Sequence, residues 1–177
     1  MMQDKGQKKR KETAKTISVM GMLLALAMIL SYIEALLPFS IGIPGVKLGL
    51  ANLVILSGLY YMNPGQVACI LVSRIVLSGF LFGNMAMIIY SLAGGGLSFL
   101  MMWFFSRRKI FSMRGVSILG GVTHNMGQLF VAMAAVQSKS LLVYGPTLLI
   151  AGTVCGALVG ILASILVPLI RRERLDR

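Results

Sequence analysis

Six apolar runs, separated by turn signals and basic segments, constrain the fold of this chain more than any other feature. They cover residues 17–37, 48–62, 66–82, 85–105, 116–136 and 146–170. A helix of about 20 apolar residues crosses the hydrocarbon core of a bilayer, and most of these runs approach that length. The runs are continuous, whereas the strands of a membrane β-barrel alternate between apolar and polar residues. We therefore predict an all-α polytopic membrane protein, a bundle of six transmembrane helices.

The composition excludes an ordinary soluble domain. Hydrophobic residues make up 57% of the chain, charged residues 12%, and the mean hydropathy is +0.86. A soluble domain carries about 25% charged residues, which it needs to cover its surface. This chain has too few charges for that purpose, so lipid must solvate its apolar faces.

The basic residues predict how the helices face. Of 17 lysines and arginines, six lie in residues 1–15, four in 107–114 and four in 171–177. The positive-inside rule places such segments in the cytoplasm, and six crossings bring all three to that side. We therefore predict a basic cytoplasmic tail (1–15), a transmembrane domain (16–170) and a second basic cytoplasmic tail (171–177). The net charge of +12 indicates contact with the lipid bilayer, and we expect no nucleic acid partner.

The sequence lacks the motifs of an autonomous enzyme. It contains no P-loop, only one histidine and five acidic residues, which form no metal-binding cluster. A prenyl transferase needs several carboxylates to hold magnesium against a diphosphate, and this chain does not supply them. We expect no catalytic activity, no metal and no cofactor. A membrane enzyme acting on a polyprenyl or lipid diphosphate would have to borrow its metal from elsewhere.

Polar and ionisable residues inside the apolar runs are the candidate functional residues, because they are costly in a membrane. Under the predicted topology they lie at mid-depth or in the outer half. We predict that they line a solute-binding cavity: Glu34, Lys47, Asn52, Arg74, His124, Asn125 and Gln128. One carboxylate against two cations favours an anionic or zwitterionic solute.

Each of these residues also has a structural interpretation. Glu34 and Arg74 can neutralise each other inside the bundle, and Lys47 can extend to the outer interface. His124 can be a neutral core histidine bonded to a backbone carbonyl. The three amide side chains, Asn52, Asn125 and Gln128, can join helices by hydrogen bonds.

Small residues recur at spacings of four along two helices. Gly21 and Ala25 do so in the first run, and Gly152, Gly156 and Gly160 in the last. Such spacing lets two helix backbones approach closely in lipid. It indicates packing within the bundle or, for the first run, docking to another membrane protein.

Four segments resemble a known family. They are PGVKLGLAN (44–52), SRIVLSGFLFG (73–83), SLAGGGLS (91–98) and VSILGGVTHNMGQ (116–128). In order and spacing they are similar to the Gx transporter family, also called heptaprenyl diphosphate synthase component I. That family is similar to the substrate-binding S components of energy-coupling factor transporters in bacterial cell membranes.

The resemblance implies a division of labour. An S component captures a small solute from outside, and a coupling membrane protein with two ATPase subunits drives its release inward. S components dock through small residues on the first helix, which correspond to Gly21 and Ala25 here. The same resemblance permits another role, a non-catalytic membrane component associated with heptaprenyl diphosphate or quinone synthesis or with flavin-based extracellular electron transfer.

Overall fold

The described part of the chain is entirely helical. The computed structural model describes residues 2–36, 49–108 and 110–175. They form six α-helices and no strand: α1 (Met2–Leu36), α2 (Leu50–Tyr61), α3 (Pro64–Phe82), α4 (Met85–Arg108), α5 (Met113–Val136) and α6 (Gly145–Leu175), with a short 3₁₀ helix (Lys139–Tyr144) before α6. The prediction of an all-α chain is confirmed.

Four segments are long and apolar enough to cross a membrane: Arg10–Leu36, Pro64–Phe82, Met85–Arg108 and Lys139–Pro168. The helix α2 is apolar but has only 12 residues, or about 18 Å of length against a hydrocarbon core of about 30 Å. The helix α5 has 24 residues but carries the polar cluster around His124. The chain is thus a membrane-type helical protein, while six crossings and cytoplasmic termini remain predictions.

Turn residues end and begin the helices where the sequence indicates. Asn63 precedes Pro64 at the start of α3, and its backbone N–H donates to Oε1 of Gln66 over 3.2 Å. Asn84 Oδ1 accepts from the backbone N–H of Met87 at the start of α4 over 2.9 Å. These side chains satisfy backbone groups that lack a partner at a helix terminus.

The helix α1 begins earlier than the apolar run. It includes the basic segment before residue 16, so the first apolar run is the second half of a 35-residue helix. Lysine, arginine, glutamine and glutamate all favour helices, and no proline interrupts the segment.

The short helix α2 lies at the centre of the bundle. It contacts α1, α3, α4 and α6, and most of its residues are buried. Ile55 and Leu56 of α2 pack with Val67 and Ile75 of α3 and Val116 of α5 in the apolar core. Around it, α5 packs most extensively against α4 and α6, whereas α1 packs against α2 and α3. The helix α2 is therefore enclosed by four other helices.

Candidate functional site

A polar cavity of ≈ 70 Å³ lies beside the start of α2, among helices α1 to α5. Five of the seven predicted site residues line it: Glu34, Asn52, Arg74, His124 and Gln128. They come from four helices and are separated by up to 94 positions in the chain. The bundle thus brings together most of the polar residues that the sequence singles out, while their role in binding remains a prediction.

Arg74 is the charged residue that is buried most deeply at this cavity. Its side chain is only 9% exposed. One terminal nitrogen, Nη1, donates to the hydroxyl of Ser31 on α1 over 3.3 Å. Its Nε is buried and has no hydrogen-bond partner in the described part of the chain. A buried donor without an acceptor is costly, so this nitrogen retains unused hydrogen-bonding capacity.

Glu34 supplies the opposite charge and connects two helices. Its carboxylate interacts electrostatically with Arg74. The same carboxylate accepts a hydrogen bond of 2.5 Å from the backbone N–H of Gly49, the residue before α2. Gly49 has φ of 73°, a left-handed conformation that favours glycine. Glu34 therefore joins the end of α1 to the start of α2 as well as balancing Arg74.

Glycine brings α5 to the cavity. A Cβ atom added to Gly94 of α4 would lie 2.7 Å from the carbonyl oxygen of His124 and 2.8 Å from Cγ of Gln128. Only glycine permits this approach, because real Cβ contacts are longer. A Cβ atom added to Gly127 of α5 would likewise lie 2.9 Å from the carbonyl oxygen of Ala93 on α4. These two contacts place His124 and Gln128 at the cavity wall.

A smaller cavity of ≈ 30 Å³ adjoins the first. The two share Gly49, Asn52 and His124, and the smaller one extends between α5 and α6 as far as Val159. Glycines form much of its wall. The polar space at the start of α2 therefore continues toward α6 as a narrow extension.

The other two predicted residues are placed differently. Asn125 is buried, lines only the smaller cavity, and its Nδ2 donates to the carbonyl oxygen of Leu148 on α6 over 2.9 Å. This contact supports the interpretation of Asn125 as a link between helices. Lys47 lies outside the described residues.

Sequence reasoning missed three serines at the larger cavity, Ser31, Ser78 and Ser91. A helical signal was available for two of them. Ser31 precedes Glu34 by three residues and Ser78 follows Arg74 by four, so each shares a helix face with a charged residue. Ser91 lies at no such spacing from a predicted site residue.

The predicted docking residues of α1 face outward. Gly21 and Ala25 are both exposed, and a Cβ atom added to Gly21 would meet nothing within 4 Å. By contrast, Ala27 on the opposite face of α1 is completely buried. Gly21 and Ala25 thus pack against no other helix of the described chain, and their docking to a partner remains a prediction.

The described residues contain no group of three or more histidine, cysteine, aspartate or glutamate side chains placed to hold a metal ion. The oxygen and nitrogen atoms at the larger cavity can form hydrogen bonds and ion pairs. The cavity is therefore lined by both charged and neutral polar groups.

The sequence profile of the family "Heptaprenyl diphosphate synthase component I" matches residues 23–166. The chain belongs to this family. No curated protein and no solved structure matches the chain significantly.

The region shared with heptaprenyl diphosphate synthase component I proteins begins within α1 and ends within α6. It includes every described residue that lines the cavity at the start of α2. The basic half of α1 lies outside it. The candidate site therefore belongs to the part of the chain that defines the family.

Proposed function

We propose that this family member is the solute-binding membrane subunit of a transporter. In this proposal it takes up a small anionic or zwitterionic solute, and separate ATPase subunits supply the energy. The observation that carries the proposal is the unpartnered Nε of buried Arg74 at a polar cavity. The protein retains a buried guanidinium with unused hydrogen-bonding capacity, which a carboxylate or phosphate oxygen would satisfy.

The size of the cavity restricts what enters it. A volume of ≈ 70 Å³ holds a charged group but not a whole metabolite, since ligand pockets usually measure about 300–1,000 Å³. Helices therefore have to separate when the solute enters. The helix α1 is the best candidate to move, because only 6% of its most apolar window is buried.

Thermal unfolding of the purified protein in lipid nanodiscs tests the binding site. The probes are amino acids, dicarboxylates and sugar phosphates, because a solute that binds the folded state raises the unfolding temperature. We expect at least one probe to stabilise the wild type and an Arg74→Gln variant to lose that response. Arg114→Gln is the matched control, because Arg114 lies on α5 away from both cavities. An undiminished response in Arg74→Gln would refute the assignment of Arg74.

A Glu34→Gln variant then separates the two classes of solute. Glutamine keeps an acceptor for the N–H of Gly49 and removes only the charge. An anion should bind the variant more tightly than the wild type, because a repelling carboxylate is gone. A zwitterion should bind it more weakly, because its cationic group loses an ionic partner. Unchanged affinity would place Glu34 outside the binding site.

The name of the family favours a second candidate function. In this alternative the chain is a non-catalytic membrane component that assembles with a heptaprenyl diphosphate synthase. Purification from native membranes in mild detergent, with mass spectrometry of bound partners, separates the two functions. Recovery of a coupling membrane protein with ATPases supports the transporter, and recovery of a prenyl synthase without ATPases supports the alternative. A Gly21→Leu variant should lose the coupling protein if α1 docks through this face.

A further inference from the structure

A larger cavity lies at the opposite end of α2 from the candidate solute site. Its volume is ≈ 530 Å³, and it opens between α1, the turn from α2 to α3, and the end of α4. The polar residues that line it include Thr16, Tyr60, Asn63, Gln66 and Arg107. None of them contributes to the function proposed above.

This cavity lies where apolar helix surface gives way to charge. On α1, Lys15 precedes the lining residue Thr16, and the apolar run follows. On α4, Phe105 is followed after one residue by Arg107 and Arg108. Membrane helices change in this way at the depth of the lipid headgroups. The cavity therefore opens at the membrane–water interface.

Aromatic residues support the same depth. Tyr60 and Tyr61 line the cavity at the end of α2, and Trp103 lies one helical turn before Arg107 on α4. Tyrosine and tryptophan are enriched at the interface because their rings are apolar and their polar atoms reach water.

Several polar groups that line this cavity already form hydrogen bonds within the protein. The hydroxyls of Thr16 and Ser106 donate to carbonyl oxygens of their own helices, over 3.0 Å to Glu12 and 2.9 Å to Trp103. The hydroxyl of Tyr61 donates to the carbonyl oxygen of Val167. These bonds shape the wall and leave recognition of a ligand to other groups.

The other residues that line this cavity favour a ligand that has both an anionic group and an apolar part. The cation in the wall is Arg107, and no aspartate or glutamate is among the described lining residues. A guanidinium pairs well with phosphate oxygens, to which it can donate two parallel hydrogen bonds. Leu59 and Met62 add apolar surface beside it.

We propose that this cavity binds the headgroup of an anionic phospholipid, with Arg107 as the partner of its phosphate. The interfacial depth and the apolar wall favour a lipid over free phosphate. This proposal is independent of the proposed solute site, because the two cavities share no lining residue. Either proposal can therefore be refuted without the other.

The test measures phosphatidylglycerol bound to the intact protein. The protein is reconstituted in vesicles of phosphatidylglycerol and phosphatidylcholine, extracted in mild detergent and analysed by native mass spectrometry. We expect Arg107→Gln to lower retained phosphatidylglycerol about fivefold, the loss that corresponds to one hydrogen bond to the phosphate. Arg108→Gln is the matched control, because Arg108 stacks on the ring of Phe104 at 4.7 Å and does not line the cavity.

Each alternative outcome contradicts the proposal in its own way. An equal loss in both variants would indicate diffuse attraction to the basic surface. If inorganic phosphate displaces the lipid, and the wild type retains as much phosphate as it retained lipid, the cavity is a free phosphate site. Unchanged retention of phosphatidylglycerol in Arg107→Gln would contradict the assignment of Arg107 as the phosphate partner.

Discussion

Two helix interfaces in this protein are built by opposite means. Between α5 and α6 the backbones nearly touch: Gly156 and Gly160 would place a Cβ atom 2.7 Å from Cα of Ile118 and 2.9 Å from Cα of Arg114. Between α1 and α3 the described polar contact is a hydrogen bond of 3.3 Å from Arg74 to Ser31, beside a cavity. The first interface leaves only the narrow cavity of ≈ 30 Å³, whereas the second borders the cavity of ≈ 70 Å³.

The two interfaces contribute differently to the stability of the bundle and to its proposed function. In lipid, no hydrophobic effect drives helices together, so close backbone contact supplies much of the association energy. The α5–α6 interface is of this kind, and we assign it the role of a rigid support. The α1–α3 interface uses charged and hydroxyl groups and borders the proposed solute site, so we call it the binding side of the bundle.

The most damaging single change should fall at the glycine contact. A Cβ atom on Gly121 would lie 2.4 Å from the carbonyl oxygen of Gly152, so Gly121→Ala forces two backbones apart. We expect the free energy of unfolding to fall by about 1–3 kcal/mol, as for other overpacked sites. Gly96→Ala is the control, because a Cβ atom there meets nothing within 4 Å. Unfolding in sodium dodecyl sulfate measures both, and equal stability of the two variants would contradict the comparison.

A smaller loss should follow from removing the polar link on the same side. Asn125→Ala deletes the hydrogen bond of 2.9 Å to the carbonyl oxygen of Leu148. Hydrogen bonds between membrane helices contribute about 0.6 kcal/mol on average, so we expect a decrease of that size. The same titration measures it. A decrease as large as that of Gly121→Ala would show that polar contacts, and not close packing, hold α5 to α6.

The smallest effect on stability should come from neutralising the binding side. In the double variant Arg74→Met with Glu34→Gln, both charges disappear together, and glutamine still accepts from Gly49. Replacing interacting charges inside a protein by neutral groups of similar size is often neutral or stabilising, so we expect a smaller loss of stability than for Asn125→Ala. Solute-dependent stabilisation should be lost completely. A large loss of stability with binding intact would reverse the roles of the two interfaces.

Much of the fold was predictable because length, hydropathy and turn residues act locally. Asn63 with Pro64 and Asn84 mark real helix starts, and the apolar runs coincide with helices. The early start of α1 was missed because hydropathy reports membrane contact and not helicity. The depth of α2 was also missed, since burial of a short apolar helix depends on its neighbours.

The residues of the candidate site were harder to predict from the sequence than the fold. Polar and ionisable side chains cost free energy inside a membrane, and this criterion selected Glu34, Arg74 and His124. The structure places all three at one cavity. The same criterion also selected Asn125, because an amide that joins helices and an amide that binds a ligand look alike in sequence. The close approach of Gly94 to His124, which fixes that wall, depends on a pairing of α4 and α5 that local sequence does not encode.

The hydrogen bond from Arg74 to Ser31 joins residues 43 positions apart, which has a consequence for synthesis. The ribosome makes α1 well before α3, so Glu34 exists for a time without its cationic neighbour. His124 and Gln128 emerge later still. The cavity is complete only when the fifth helix has been made, so a solute that uses this cavity would bind only nearly finished chains.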